Sequence, residues 1–263
     1  MAVVASRHVP RKRFGQHFLV DRGVITRVIA AIDPRSSDHI VEIGPGLGAL
    51  TDTLIERAGH LHVVELDRDL CKRLRERYPE NLLTVHQADA LRFDFTSLPS
   101  PLRIVGNLPY NISTPILFHV AATAERCRDL HFMLQQEVVE RMIAGPSVPE
   151  YGRLSVMLQY RFQAERLFEV PPAAFRPRPK VHSAVVRLVP RPKSELDCLD
   201  EALLSKLVAR AFSMRRKTVR NALSAFISAA EISALGIEPG RRAETFPVAT
   251  FVTIVNWIAR RAS

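Results

Sequence analysis

Three features of the chain predict an α/β protein. Strand-like and helix-like segments alternate over its first two-thirds, a glycine-rich turn follows the first strand, and the pattern turns wholly helical near residue 190. Such alternation implies a doubly wound parallel sheet with helices on both faces; the tail adds a small all-helical domain. A length of 263 residues allows one or two domains. The boundary is expected at Pro190-Arg191-Pro192-Lys193, giving domains 1–190 and 191–263.

The elements follow in order. Val24, Val28, Ile29 and Ile32 recur at helical spacing. His39 to Ile43 is a short apolar run ending in glycines, a strand entering a turn. Leu50, Leu54 and Ala58 mark the next helix. Further strands are predicted over Leu61–Leu66, Leu82–His86, Leu102–Val105 and Leu130–Leu134, with a helix over Leu117–Ala124. Beyond Tyr151 a helix is expected over Leu154–Phe162. Strands at Arg166–Val170 and Ala184–Val189 flank a proline-rich loop. Helices over Leu199–Val208, Thr218–Ala229 and Ala249–Arg260 complete the tail.

Composition excludes several classes. Hydrophobic residues are 47% and charged residues 24% of the chain, a globular mixture rather than a disordered, collagenous or coiled-coil one. Cys71, Cys127 and Cys198 are far apart and odd in number, against a disulfide framework or a cysteine metal site. No metal is expected, and His60 and His62 read as ordinary strand residues. No apolar run reaches the roughly 18 residues of a membrane span. The basic residues of the N-terminus follow its apolar start, the reverse of a signal peptide. A soluble, cytoplasmic protein is the expectation, with no membrane partner.

The net charge of +10 is concentrated. Arg7, Arg11, Lys12 and Arg13 stand in an acid-free first twenty residues. Arg210, Arg215, Arg216, Lys217 and Arg220 form a second acid-free run, and Arg176, Arg178 and Lys180 a third basic stretch. Two such runs in a nearly neutral chain point to a polyanion, with nucleic acid favoured over a membrane surface.

The segment Glu42-Ile43-Gly44-Pro45-Gly46-Leu47-Gly48 carries glycines that tolerate positive φ and let a ligand approach the backbone. Its spacing is GxGxG, not the GxGxxG of dinucleotide sites. Glu65, at the end of the next strand, can accept both hydroxyls of a ribose, and Asp89, at the end of the third, can accept from an adenine amine. An adenosine ligand is indicated, and the spacing favours S-adenosyl-L-methionine over a nicotinamide dinucleotide. Asn107-Leu108-Pro109-Tyr110 lies at the carboxyl end of the fourth strand, where open α/β sheets build their sites. An adenine amine is a poor nucleophile because its lone pair is delocalised. The Asn107 side-chain oxygen and the Leu108 carbonyl can hold it so that the lone pair turns toward a methyl donor. Pro109 stiffens the turn, and Tyr110 can stack on the base. In Phe175-Arg176-Pro177-Arg178-Pro179-Lys180-Val181 the prolines enforce a stiff loop. That loop is expected to present Phe175 as a second stacking face and its basic residues to phosphates.

With these residues in hand, the chain resembles the bacterial dimethyladenosine transferases of small-subunit ribosomal RNA, the KsgA/RsmA family. The likeness runs nearly end to end. It is carried by Arg11 to Leu19, Val41 to Gly48, Glu65 to Asp67, Gly106 to Pro115, Tyr151 to Met157, Val170 to Leu188 and Ala211 to Leu223. It implies a class I S-adenosylmethionine-dependent (Rossmann-like) methyltransferase domain followed by a helical domain that docks RNA. It further implies N6,N6-dimethylation of two adjacent adenosines in a hairpin loop near the 3′ end of 16S rRNA, in an immature small ribosomal subunit, by a monomer. Carried over residue by residue, donor-binding positions are His17, Leu19, Gly44, Gly46, Glu65, Asp89 and Asn107. Asn107 also holds the target amine, between Tyr110 and Phe175. Many members carry asparagine where this chain has His17. Three other readings compete. A large-subunit adenine N6-methyltransferase shares the donor site and the Asn-x-Pro-Tyr motif, but Pro115 and Tyr151-Gly152-Arg153-Leu154-Ser155 look like the small-subunit family. A ribosome assembly factor acting by binding would also use the basic runs. A nicotinamide oxidoreductase leaves Asn107 to Tyr110 unexplained.

Overall fold

The computed structural model describes residues 16–262. The chain forms two compact units: the chain up to Gln136 with Arg166–Arg187, and Glu137–Glu165 with the chain from Leu188 onward. The expected single boundary at residue 190 differs from this division. Residues 137–165 group with the C-terminal helices, so the chain passes between the units three times.

The first unit opens with strand β1 (Phe18–Leu19) and helix α1 (Arg22–Ile32), capped by the Asp21 carboxylate on the Val24 N–H. Then follow β2 (His39–Ile43), α2 (Thr51–Ala58), β3 (Leu61–Glu65), α3 (Arg68–Arg77), β4 (Leu83–Gln87), β5 (Leu102–Asn107), α4 (Ser113–Ala121) and β6 (Cys127–Gln135). The second unit begins along α5 (Gln136–Ile143) and includes α6 (Arg153–Arg161). Strand β7 (Phe162–Val170) returns the chain to the first unit, which adds β8 (Phe175–Arg176) and most of β9 (Ser183–Pro190). Helices α7 (Glu201–Ser213), α8 (Val219–Ala222), α9 (Ala229–Ala234) and α10 (Val248–Ala262) complete the second unit.

The sheet order is β4-β3-β2-β5-β6-β9-β7, and the pairings from β4 through β6 are parallel. The chain winds outward from β2 to β4, then crosses back to lay β5 on the other side of β2. The carboxyl ends of β2 and β5 therefore flank the switch point, where such sheets bind ligands. The predicted strand over Leu130–Leu134 is the centre of β6, and both strands around the proline-rich loop join the same sheet.

At the opposite end of β5 a charge network pins the sheet. Arg103, 3% exposed, donates from Nε and Nη2 to the two Asp129 oxygens at 2.9 and 2.8 Å, and from Nη1 to Asp38 Oδ2 at 2.7 Å. It also donates to the carbonyls of Ile32 and Asp33, which close α1. Burial opposes the charge of Asp129, yet His131 and Arg103 hold its carboxyl down to about 2.

The second unit packs Leu204, Leu207, Val208 and Ala211 of α7 with Phe251, Ile254 and Val255 of α10 and Val156 and Tyr160 of α6. The single helix expected over Thr218–Ala229 is instead two. It stops at Ala222, and Ser228 starts α9 with a reciprocal capping box to Glu231. No helix among the described residues is long and apolar enough to cross a membrane.

Candidate active site

At the switch point lies a cavity of about 270 Å³, walled by residues from four strand ends and the N-terminal segment. From β2 come Glu42 and the glycine turn. Gly44 (φ 67°) and Gly46 (φ 59°) occupy the left-handed region, closed to most side chains. A Cβ on Gly46 would stand 3.0 Å from the Phe18 ring. From β3 comes Glu65, 8% exposed. Its Oε2 accepts from the Gly46 N–H at 3.3 Å and its Oε1 from the Asp67 N–H at 2.8 Å. These bonds tie the carboxylate to the glycine turn and fix its orientation at the cavity wall. Burial raises the Glu65 pKa. Asp89, just beyond β4, accepts from the Leu91 N–H at 2.9 Å through Oδ1, which fixes its orientation toward the same cavity.

Asn107 ends β5. Its Nδ2 donates to the His17 carbonyl at 2.9 Å, so its Oδ1 is the acceptor that remains. The strand ends approach closely here: a Cβ on Gly106 would fall 2.5 Å from the Ile43 carbonyl oxygen, so only glycine fits. Leu108 and Pro109 complete this wall, with the Leu108 N–H bonded to the Met133 carbonyl at 3.1 Å. Tyr110 follows, its hydroxyl 2.7 Å from Ser183 Oγ. Burial raises its pKa, keeping it a neutral phenol.

His17 and Leu19 reach this end of the sheet through β1, which pairs antiparallel with β8 (Leu19↔Phe175). That pairing corrects one expectation. Phe175 is 0% exposed and packs in the core with Leu19, Val170 and Ala174. It is not an open stacking face, because the N-terminal strand covers it.

Sequence reasoning passes over Glu42 as a functional residue. It is 2% exposed, lies on the cavity wall and accepts from the Thr51 hydroxyl at 2.6 Å. Burial pushes its carboxyl up to about 7, reinforced by Glu65 and Asp52 nearby and opposed by the Thr51 bond. An acid inside the apolar run of β2 is the signal that could have found it.

Of the residues expected to meet RNA, Arg176, Arg178 and Lys180 are exposed in the first unit and Arg215, Arg216, Lys217 and Arg220 in the second. Arg11, Lys12 and Arg13 lie outside the described residues. His62 lies on β3 and is bonded to His86, whereas His60 immediately precedes that strand and is bonded to Thr84; both are half-buried. Among the described residues no group of three His, Cys, Asp or Glu could hold a metal.

A positive-φ glycine cradle, two carboxylates at the ends of adjacent strands and an asparagine across the switch point fit a nucleoside with a methyl-bearing tail. Fold and site together define a class I S-adenosylmethionine-dependent methyltransferase. The chain belongs to the ribosomal RNA adenine dimethylase family, whose model matches residues 7–260; it is an S-adenosylmethionine-dependent rRNA adenine dimethyltransferase. It is 59% identical to the ribosomal RNA small subunit methyltransferase A of Aromatoleum aromaticum, over 98% of this chain and 97% of that one. The protein of the same name from Thiobacillus denitrificans is 58% identical over 97% of this chain and all of its own. Among solved structures, a dimethyladenosine transferase from Plasmodium falciparum shares the fold, with TM-score 0.80, 23% identity and coverage of 94% and 98%. The 23S rRNA methyltransferase ErmE gives TM-score 0.68 at 25% identity, covering 92% and 99%.

Proposed function

We propose that the enzyme dimethylates N6 of two adjacent adenosines in a hairpin loop near the 3′ end of 16S rRNA, acting in the cytoplasm as a monomer on an immature small ribosomal subunit. The observation that carries the chemistry is Asn107. Its Nδ2 is engaged by the His17 carbonyl, leaving Oδ1 to accept from the target amine beside the donor cradle. The small-subunit choice draws on the full-length relatives at 59% and 58% identity, each named a small subunit methyltransferase.

When bound, S-adenosylmethionine supplies an electrophilic methyl on a sulfonium. Gly44 and Gly46 would let it approach the backbone, Glu65 would accept from the ribose hydroxyls, and Asp89 from the adenine amine. Holding the target amine by Asn107 Oδ1 and the Leu108 carbonyl turns its lone pair outward. The work of the chain is proximity and orientation. The amine turns acidic only after it gains the methyl, so no base is needed beforehand. Flipping a loop adenine out of its stack costs little. Small and large subunits lacking the modification, offered side by side with labelled donor, test this reading. Label in the small subunit supports it, and label confined to the large subunit overturns it.

A further inference from the structure

Pro109 and Asn111 line the donor cavity, whereas Tyr110 between them does not. Its ring stands beside the donor's place and is left for the methyl acceptor. A ring that receives a base must be held still, and three contacts hold this one. Ser113 Oγ donates to the Tyr110 carbonyl at 3.1 Å, and one ring face packs against the His17 imidazole. The tip of the ring is fixed from 73 positions away in the chain, where its hydroxyl lies 2.7 Å from Ser183 Oγ. Ser183 is fully buried and opens β9, ahead of the equally buried Ala184, Val185 and Val186. At the head of so apolar a strand a hydroxyl is costly unless it is paired. The strand is itself anchored. It lies between β6 and β7 in the sheet, and the Gln136 N–H donates to the His182 carbonyl at 3.0 Å. The sheet thus holds Ser183, and Ser183 holds the ring.

We propose that Ser183 is a positioning residue for methyl transfer: its hydroxyl fixes the Tyr110 ring at the angle at which the target adenine stacks on it. This role rests on the reading of the site as an adenine-N6 pocket. It brings into the reaction a residue of β9, two strands across the sheet from Asn107. Ser183 does not touch the base, so its effect passes through the Tyr110 hydroxyl.

The test is a double-mutant cycle in steady-state methyl transfer to unmodified small subunits at saturating donor. It compares wild type, Ser183→Ala, Tyr110→Phe and the double variant, with Tyr110→Ala as a ringless control. Affinity for S-adenosylhomocysteine is measured for each by calorimetry. Tyr110→Phe keeps the ring and removes only the hydroxyl, from the half-buried side of the bond. A loosened ring spoils alignment in the transition state and leaves subunit docking intact, so the loss enters kcat rather than KM. Each single variant is expected to lose about tenfold in kcat, with subunit KM and donor affinity within about twofold of wild type. The double variant is expected to lose no more than either single one, because both remove the same bond. Wild-type kcat in Tyr110→Phe overturns the proposal, even where Ser183→Ala fails to fold. A further loss of about fivefold or more in the double variant also overturns it, since Ser183 would then act by another route. Wild-type kcat in Tyr110→Ala overturns the stacking on which the role depends. A wild type that labels no small subunit overturns the substrate reading, a failure distinct from the others.

Discussion

Asn107 carries the chemical claim at the scale of single residues. Replacing it with alanine removes the amine acceptor while Gly44, Glu65 and Asp89 stay in place. Misplacing a reacting group costs about 100-fold in rate. Asn107→Ala is therefore expected to lose turnover by that order with donor affinity only modestly weakened. Turnover within about threefold of wild type, well short of such a cost, would sink the assigned role. Glu42 gives a second prediction, in stability. Its carboxyl titrates near 7 in the folded chain against an ordinary value near 4.5, because burial disfavours the charge. The stability it contributes as a neutral acid is complete below about 4.5 and is lost as pH rises through about 7. Glu42→Gln keeps an acceptor for Thr51 without the charge. It should be more stable than wild type above pH ~8, by on the order of 2–3 kcal/mol, and similar near pH ~5. Melting curves at the two pH values check this; parallel shifts at both would contradict it. Glu65, Asp89 and Asn107 are legible in the sequence because each sits at the end of a parallel strand, where side chains converge on one edge. Phe175 is misread because what buries it is Leu19, a partner far away in the chain that no local pattern announces.

At the level of elements, the two ends of β5 do different work. At its start Arg103 holds Asp38, Asp129 and the closing carbonyls of α1. Removing one partner of such a buried set strands the others, at a cost of about 3–5 kcal/mol. Arg103→Met should unfold at correspondingly lower denaturant, and a destabilisation below ~1 kcal/mol would show the network to be dispensable. Because Asp129 is held down to about 2 from 3.8, the stability it contributes is present above about 4 and disappears as pH falls through about 2. At the other end, Gly106 admits no side chain against the Ile43 carbonyl. Gly106→Ala should weaken donor binding and stability together by spreading β2 from β5; a variant that binds donor normally would refute that close fit. The strands of the sheet are readable as apolar runs, and β2 matches its expected bounds. Helix α3 is hard to see in the sequence because Leu70, Cys71 and Leu74 are its buried residues among many charged ones, a thin apolar stripe. The break between α8 and α9 is equally hidden, because Ser228, which caps α9 reciprocally with Glu231, falls inside the Thr218–Ala229 stretch expected to be one helix.

For the whole molecule, the charge distribution read from the sequence becomes exposed side chains on both units. Neutralising Arg215, Arg216 and Lys217 should flatten the salt dependence of RNA binding by about 0.7–0.9 for each phosphate no longer paired with a cation. An unchanged slope would mean that these residues are merely basic. Which of them meets RNA is not legible, because exposure and charge alone do not distinguish docking from solvation. The central claim is that this chain is an enzyme completing dimethylation, not a binding factor that retains a donor fold. Its most direct test is incubation with labelled S-adenosylmethionine and small subunits from a strain lacking the modification, followed by digestion and identification of the labelled nucleosides. The account predicts label in N6,N6-dimethyladenosine from the 3′ end of 16S rRNA, with both adjacent adenosines converted. Tight binding to those particles without label would contradict it and make assembly by binding the primary role.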